Sequence, residues 1–213
     1  LIMLRGWKIM ALQLKRSSML KVGITGGIAS GKSVVCQIFE VIGIPIYYAD
    51  IRAKILIVED EEIRQAIIEL LGAEAYRIDG SYNTTYVSSI VFSNFEKLKA
   101  LNQIVHPKVK RDYSIWHECQ DAPYTLHESA LIIEGGFYKL MDKIIVVAAP
   151  EELRINRIVL RDRVSEEVAI SKIRSQMPEE EKLKYADYII NNNELNLLVE
   201  QCLHIHEKIL FVS

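Results

Sequence analysis

Cysteine is scarce in this chain: three residues, Cys36, Cys119 and Cys202, lie far apart and form no C-x-x-C pair. That argues against a disulfide scaffold and fits a reduced, cytoplasmic compartment. No apolar run reaches the roughly 18 to 20 residues that cross a bilayer, because charges interrupt every candidate. An excess of either charge is missing too, since 26 basic and 28 acidic residues leave a formal net charge of −2. No global field therefore draws the chain to nucleic acid or to an anionic membrane. Internal repeats and low-complexity stretches are absent. So is G-x-G-x-x-G, which cannot be read through Gly23, Gly26, Gly27 and Gly31, and this removes the dinucleotide fingerprint. D-x-x-G, N-K-x-D and L-S-G-G-Q are also missing, which argues against a GTPase switch and a transporter-type ATPase.

The chain has 213 residues, half of them hydrophobic, enough for one sizeable core and a small appended lobe. Its central feature is Gly26-Gly27-Ile28-Ala29-Ser30-Gly31-Lys32-Ser33, a complete phosphate-binding loop. Before it runs the strand-like Leu20 to Thr25, and after it the helix-like Val34 to Glu40, the context this motif requires. Small residues let successive backbone N–H groups curl around the β- and γ-phosphates, where a Cβ would obstruct close approach. Lys32 adds a mobile positive charge. The following helix offers its N-terminus to the anion, and the Ser33 hydroxyl is placed to ligate Mg²⁺. Nucleotide-binding positions are accordingly Gly27, Ile28, Ala29, Ser30, Gly31, Lys32, Ser33 and Val34, with ATP the expected nucleotide and Ser33 the expected metal ligand.

Gly43 to Asp50 reads as a turn and a short buried strand ending in a carboxylate, the second strand of a βαβ unit, which would bring Asp50 beside the loop. From Ile51 to about Gln120 the pattern turns helical: Asp60 to Gly72 is one amphipathic helix, Asp79 to Asn83 a turn, and a long helix starts near Asn94 and is kinked or restarted at Pro107. Strands are expected at Ser129 to Gly136 and at Lys143 to Pro150, both near-continuous apolar runs. A helix follows over Glu151 to Asp162 with arginines at its end, and Ser165 opens another with a capping-box pattern. Tyr188 to Ile190 reads as a last short strand, and Glu194 towards Phe211 as the C-terminal helix. Leu1 to Ser18 carries Arg5, Lys8, Lys15 and Arg16 without an acid; lacking an apolar core and a cleavage site, it reads as a disordered upstream extension with Met19 as the effective start.

With the other triphosphate-binding classes set aside, a small-molecule kinase remains, which needs a carboxylate to orient the acceptor and cations to close over the moving phosphoryl group. Asp50 and the arginine-rich helices supply both. The chain resembles the dephospho-coenzyme A kinases from Met19 to about Asn193. The matching pieces are Gly23 to Ser33, Ala49-Asp50 with Ala53, Ile104-Val105-His106-Pro107, Ala130 to Glu134, Arg157 with Arg161-Asp162, Gln176-Met177-Pro178, Lys182, Ala186-Asp187-Tyr188 and Asn191-Asn192. The resemblance implies an α/β fold: a P-loop NTPase-type three-layer core with a parallel sheet (19–50 and 121–213), a helical coenzyme A-binding lobe (51–120) and a small helical lid around 161–178. It implies transfer of the ATP γ-phosphate to the ribose 3′-hydroxyl of dephospho-coenzyme A in the cytoplasm, with Mg²⁺, by a monomer or weak homo-oligomer. It also implies catalytic roles for Asp50 as the base, Lys32, and Arg161 as a lid arginine on the ATP phosphates.

Departures from the family pattern are Tyr48 in place of a first carboxylate, Ala130 in place of a proline, and Lys172 in place of an arginine, which keeps charge but not the bidentate fork. His106-Pro107 either touches coenzyme A or shapes the helical lobe. Glu134 reads as half of a structural ion pair or as an indirect aid to Mg²⁺. Cys202 and His206 share a helix face but lack the further ligands of a metal site. Another small-molecule kinase and a non-catalytic ATP-binding module remain as alternative readings.

Overall fold

The structure is a computed structural model and describes residues 19–91 and 93–211, so the extension expected over residues 1–18 lies outside it. Along the chain run β1 (Leu20–Thr25), α1 (Lys32–Val41), β2 (Ile46–Tyr48), α2 (Ala49–Glu59), α3 (Glu61–Leu71), α4 (Thr84–Val91) and α5 (Phe95–Glu118). They are followed by β3 (Tyr124–Glu128), β4 (Lys143–Ala148), α6 (Glu151–Asp162), α7 (Glu166–Arg174), α8 (Glu179–Leu183), β5 (Tyr188–Asn191) and α9 (Leu198–Leu210). The chain divides into two compact units, one formed by residues up to Ile46 together with those from Asp121 onwards, the other by Tyr47–Gln120.

The first unit is built on a five-stranded sheet in the order β2-β3-β1-β4-β5. β1 lies between β3 and β4, parallel to both, with Ile24 opposite Glu128 on one side and Ile145 on the other. β4 in turn pairs in parallel with β5, Ala148 opposite Asn191. Such a sheet is covered on both faces, so its central strands are apolar without alternation: Val22, Ile24, Ile145, Val146 and Val147 are fully buried. This is the three-layer α/β architecture expected from the sequence. Beside the sheet, Ile132, Ile144 and Val146 form a cluster closed by Phe137, Tyr138, Met141, Leu183 and Ala186. A second cluster joins Ile158 of α6 to Ala169 and Ile173 of α7, and the loop residues Ile28 and Ala29 pack against it.

The second unit is helical. α3 is capped at its start by the Asp60 side chain, which accepts from Ile63 N–H at 3.0 Å, and stops at Gly72 with φ +98°. Lys108 of α5 reaches back to Asp60 at 3.1 Å and to Glu62. Tyr76 and Tyr86 tie the unit further, their hydroxyls donating to Ile57 O (2.8 Å) and Leu71 O (2.9 Å).

Four local expectations are corrected. The third strand is Tyr124–Glu128, whereas the apolar run after Ser129 forms turns in which Gly135 N–H bonds Leu131 O and Gly136 N–H bonds Ile133 O. The strand was hidden because Thr125 and His127 are polar residues that are nonetheless buried. β3 also separates β2 from β1, so the first two strands are not neighbours in the sheet. α5 runs unbroken through Pro107; the ring removes a single N–H that would have bonded Gln103 O, a carbonyl on an exposed residue. The last helix begins at Leu198 and not at Glu194, which has φ +64° in the preceding turn.

His127 stands opposite Gly23 in the β3–β1 ladder with its ring 5.3 Å from that of Phe137, and burial lowers its pKa from 6.5 to about 4. As pH falls below 6.5 the unfolded chain takes up a proton that the folded state refuses until about pH 4, so stability falls across that window. We expect urea unfolding to report about 1 kcal/mol less stability near pH 5.5 than near pH 7, and that loss to be absent from His127→Phe.

Candidate active site

The loop that joins β1 to α1 is held by side chains on its outer surface. Arg154, 5% exposed on α6, donates from Nε to Ile28 O at 3.0 Å. Arg157, one turn further along, donates from Nη1 to Ala29 O at 3.2 Å. Asn192, at the end of β5, donates from Nδ2 to Ser30 O at 2.8 Å. In a trans peptide the N–H of the next residue points opposite to the carbonyl. The grips on Ile28 O and Ser30 O thereby turn Ala29 N–H and Gly31 N–H away from Arg154 and Asn192. Those two amides are thus left on the side of the loop opposite these donors, in the arrangement that suits an anion. Ser30 N–H closes a turn on Gly27 O at 3.1 Å, and Ala29 takes the left-handed φ of +61° that the curl requires. Ile28 N–H donates to Gln176 Oε1 at 2.7 Å.

Glycine is required at two places by close approach. A Cβ on Gly27 would stand 2.3 Å from Arg154 Nη2, and one on Gly31, whose φ is +94°, would stand 2.1 Å from Asn192 Nδ2. Both glycines thus admit the very groups that hold the loop. Lys32 opens α1 and donates from Nζ to Gly26 O at 3.1 Å. Ser33 follows on the exposed surface of the first turn, with Val34 exposed beside it.

Arg161 lies seven residues after Arg154 on α6, so 154, 157 and 161 share one helical face. Its guanidinium is more than half exposed and forks onto the neighbouring Asp162, Nε to Oδ1 at 2.8 Å and Nη2 to Oδ2 at 3.3 Å. Lys172 of α7 binds the same carboxylate at 2.6 Å. The Arg161 and Lys172 hydrogen bonds hold the Asp162 carboxyl well below the usual carboxylate range. Asp50 belongs to the helical unit. β2 ends two residues before it, and Asp50 lies exposed in the first turn of α2, after Tyr48 at the N-cap. It therefore neither ends a strand nor caps the helix, and its negative charge suits a helix N-terminus.

Sequence reasoning gave no separate role to Arg154, Gln176 or Asn192. The i, i+3, i+7 spacing of the three arginines was a readable sign of a common face, whereas the partners on β5 and before α8 are set only by tertiary folding. Lys182, named only as a matching piece of the family pattern, had no role assigned: it is fully buried, and its Nζ donates to Glu134 Oε1 at 2.7 Å and Ala130 O at 2.9 Å. Glu134 additionally accepts from Met177 N–H at 3.3 Å, so it serves as half of an ion pair. His206 bonds the Tyr124 hydroxyl at 2.8 Å, and no cluster of metal-binding side chains occurs among the described residues.

A parallel sheet whose first strand feeds a glycine-rich loop and a helix, with basic side chains ranged along one neighbouring helix, defines a P-loop kinase. Within that class the chain belongs to the dephospho-CoA kinase family, whose profile matches residues 20–197. The dephospho-CoA kinase of Bacteroides fragilis is 39% identical over 187 residues, covering 87% of this chain and 91% of the relative. The solved dephospho-CoA kinase from Campylobacter jejuni superposes with a TM-score of 0.65 at 29% identity, over 90% of this chain and 98% of its own. The structure of TT1252 from Thermus thermophilus gives a TM-score of 0.79 at 31% identity, over 89% and 96%.

Two outcomes follow from the packing. Gly31→Ala should weaken ATP binding about tenfold or more in calorimetric titration, because the new methyl displaces Asn192 and strains a positive φ. Glu134→Ala should destabilise the fold by about 3 kcal/mol in chemical unfolding, leaving a buried ammonium without its counter-charge, and Lys182→Met should cost less than half as much.

Proposed function

We propose that this chain transfers the γ-phosphoryl group of ATP to the ribose 3′-hydroxyl of dephospho-CoA, giving CoA and ADP in the last step of coenzyme A synthesis. The observation that carries the reading is the family match along residues 20–197, which spans a phosphate loop held ready by three outer grips. In the reaction the bond between the γ-phosphorus and the β,γ-bridging oxygen breaks, and the 3′-oxygen bonds to phosphorus in line. The loop amides and Lys32 hold the β- and γ-phosphates, so that positioning and charge neutralisation do most of the catalytic work. Asp50 accepts the hydroxyl proton as the acceptor attacks. Arg161 exchanges Asp162 for a phosphate oxygen as the segment 161–178 closes as a lid and excludes water.

Mg²⁺ fits this site as an ion carried in on the nucleotide. The hard hydroxyl oxygen of Ser33 is exposed at the start of α1, and a cation that keeps most of its ligands from phosphate and water needs little more from the protein. When bound it neutralises charge between the β- and γ-phosphates. The helical lobe over 51–120 takes the coenzyme A moiety, and the enzyme works as a monomer or weak homo-oligomer in the cytoplasm. The free thiols Cys36, Cys119 and Cys202 agree with a reducing compartment; burial pushes the Cys202 thiol up to about 11 and the Cys36 thiol higher still.

The test is ATP-dependent phosphorylation with Mg²⁺ of dephospho-CoA, adenosine and AMP in parallel. Turnover should be confined to dephospho-CoA and fall at least about a hundredfold in both Lys32→Ala and Asp50→Ala. Phosphorylation of adenosine or AMP instead would point to another small-molecule kinase. ATP binding without turnover on any acceptor would point to a binding module.

A further inference from the structure

We infer that Asp112 is a positioning residue for the Asp50 carboxylate, acting through Tyr47 and Arg52; the inference rests on the proposed role of Asp50. All four residues lie within the helical unit. The first turn of α2 lacks a side-chain cap of its own, since Tyr48 at the N-cap makes no capping hydrogen bond. Its anchorage comes from α5 instead. The Tyr47 hydroxyl donates to Asp112 Oδ2 at 2.6 Å, and the Arg52 guanidinium forks onto the same carboxylate, Nε to Oδ2 at 2.9 Å and Nη2 to Oδ1 at 2.6 Å. One carboxylate thus pins the chain three residues before Asp50 and again two residues after it. Both soft junctions of the strand-to-helix turn are clamped, and the exposed side chain between them is aimed by the backbone they fix.

The clamp is anchored on its other side as well. Tyr47 is 1% exposed, its hydroxyl also lies 3.3 Å from Val109 O, and its ring stands 5.1 Å from that of Tyr113 and 5.4 Å from that of Trp116. A bidentate guanidinium–carboxylate pair fixes orientation as well as distance, which a lysine at position 52 would not do. The groups facing the Asp112 carboxylate are thus the charged Arg52 guanidinium and the neutral Tyr47 phenol, and Arg52 holds the Asp112 carboxyl below its usual range. The clamp has nothing to gain from proton chemistry of its own; its effect on the reaction passes through where Asp50 sits.

The test measures kcat and the KM values for ATP and dephospho-CoA in Asp112→Asn, Asp50→Asn and the double variant. Asp112→Asn should lower kcat about ten- to hundredfold while the KM for ATP stays within about twofold. In the Asp50→Asn background the same substitution should lower kcat by less than about twofold, because the group it positions has been neutralised. A purely structural role would give losses that multiply, and that result overturns the inference. Unchanged kcat in Asp112→Asn alongside a loss in Asp50→Asn overturns it too, and leaves the role of Asp50 standing. Wild-type turnover in Asp50→Asn removes both. Should Asp112→Asn fail to fold, Tyr47→Phe keeps the buried ring and removes one arm of the clamp; a kcat loss that disappears in the Asp50→Asn background is again expected, and its persistence there counts against the inference.

Discussion

Three hydrogen bonds to backbone carbonyls, from Arg154, Arg157 and Asn192, decide what the phosphate loop is. A glycine-rich loop has little shape of its own, since each glycine adds conformers that folding must freeze out. Charged donors on two successive carbonyls and an amide donor on the third hold it from one side. The two guanidinium groups are themselves balanced by carboxylates, Arg154 Nη1 lying 3.7 Å from Glu179 and Arg157 Nη2 2.9 Å from Glu194, so their part in the loop is to fix its carbonyls. Glycines at 27 and 31 are part of the same constraint. A side chain at either position would stand in the space that Arg154 or Asn192 occupies.

The core elements and the loop were legible because their signals are local. β1, β4, α6 and α7 announce themselves through uninterrupted apolar runs or caps, such as Ser165, whose side chain accepts from Val168 N–H. β3 was not, because three of its five residues are polar, and the burial of Thr125 and His127 follows from two neighbouring strands that a linear pattern does not reveal. The apolar run Leu131-Ile132-Ile133 attracted the strand assignment that belonged a few residues earlier; two of its residues are buried in turns instead. At the site, the loop and the spacing of the arginines could be read directly. The grip of Asn192 on Ser30 could not, since 162 residues separate them.

Lys182 and Glu134 extend the same logic away from the phosphates. A fully buried ammonium is a liability unless both its charge and its donors are met, and a carboxylate and a carbonyl meet them here. The carboxylate also holds Met177 N–H, next to the glutamine that binds the loop at Ile28. The segment before α8 is thus fastened at one end to the loop and at the other to the turns after β3. A lid hinged in this region would pivot on a charged knot and not on a flexible linker.

The order in which the chain leaves the ribosome gives the outer grips another meaning. The loop is among the first parts made, but Arg154, Gln176 and Asn192 emerge 126, 148 and 162 residues after their partners. Until those residues are made, the glycine-rich segment lacks the side-chain partners that hold it in the folded protein. β5 pairs with β4, and Asn192, just past the end of β5, is the last of these donors to be made. A chain ending before Asn192 would carry the whole motif and still lack the hydrogen bond that holds Ser30 O.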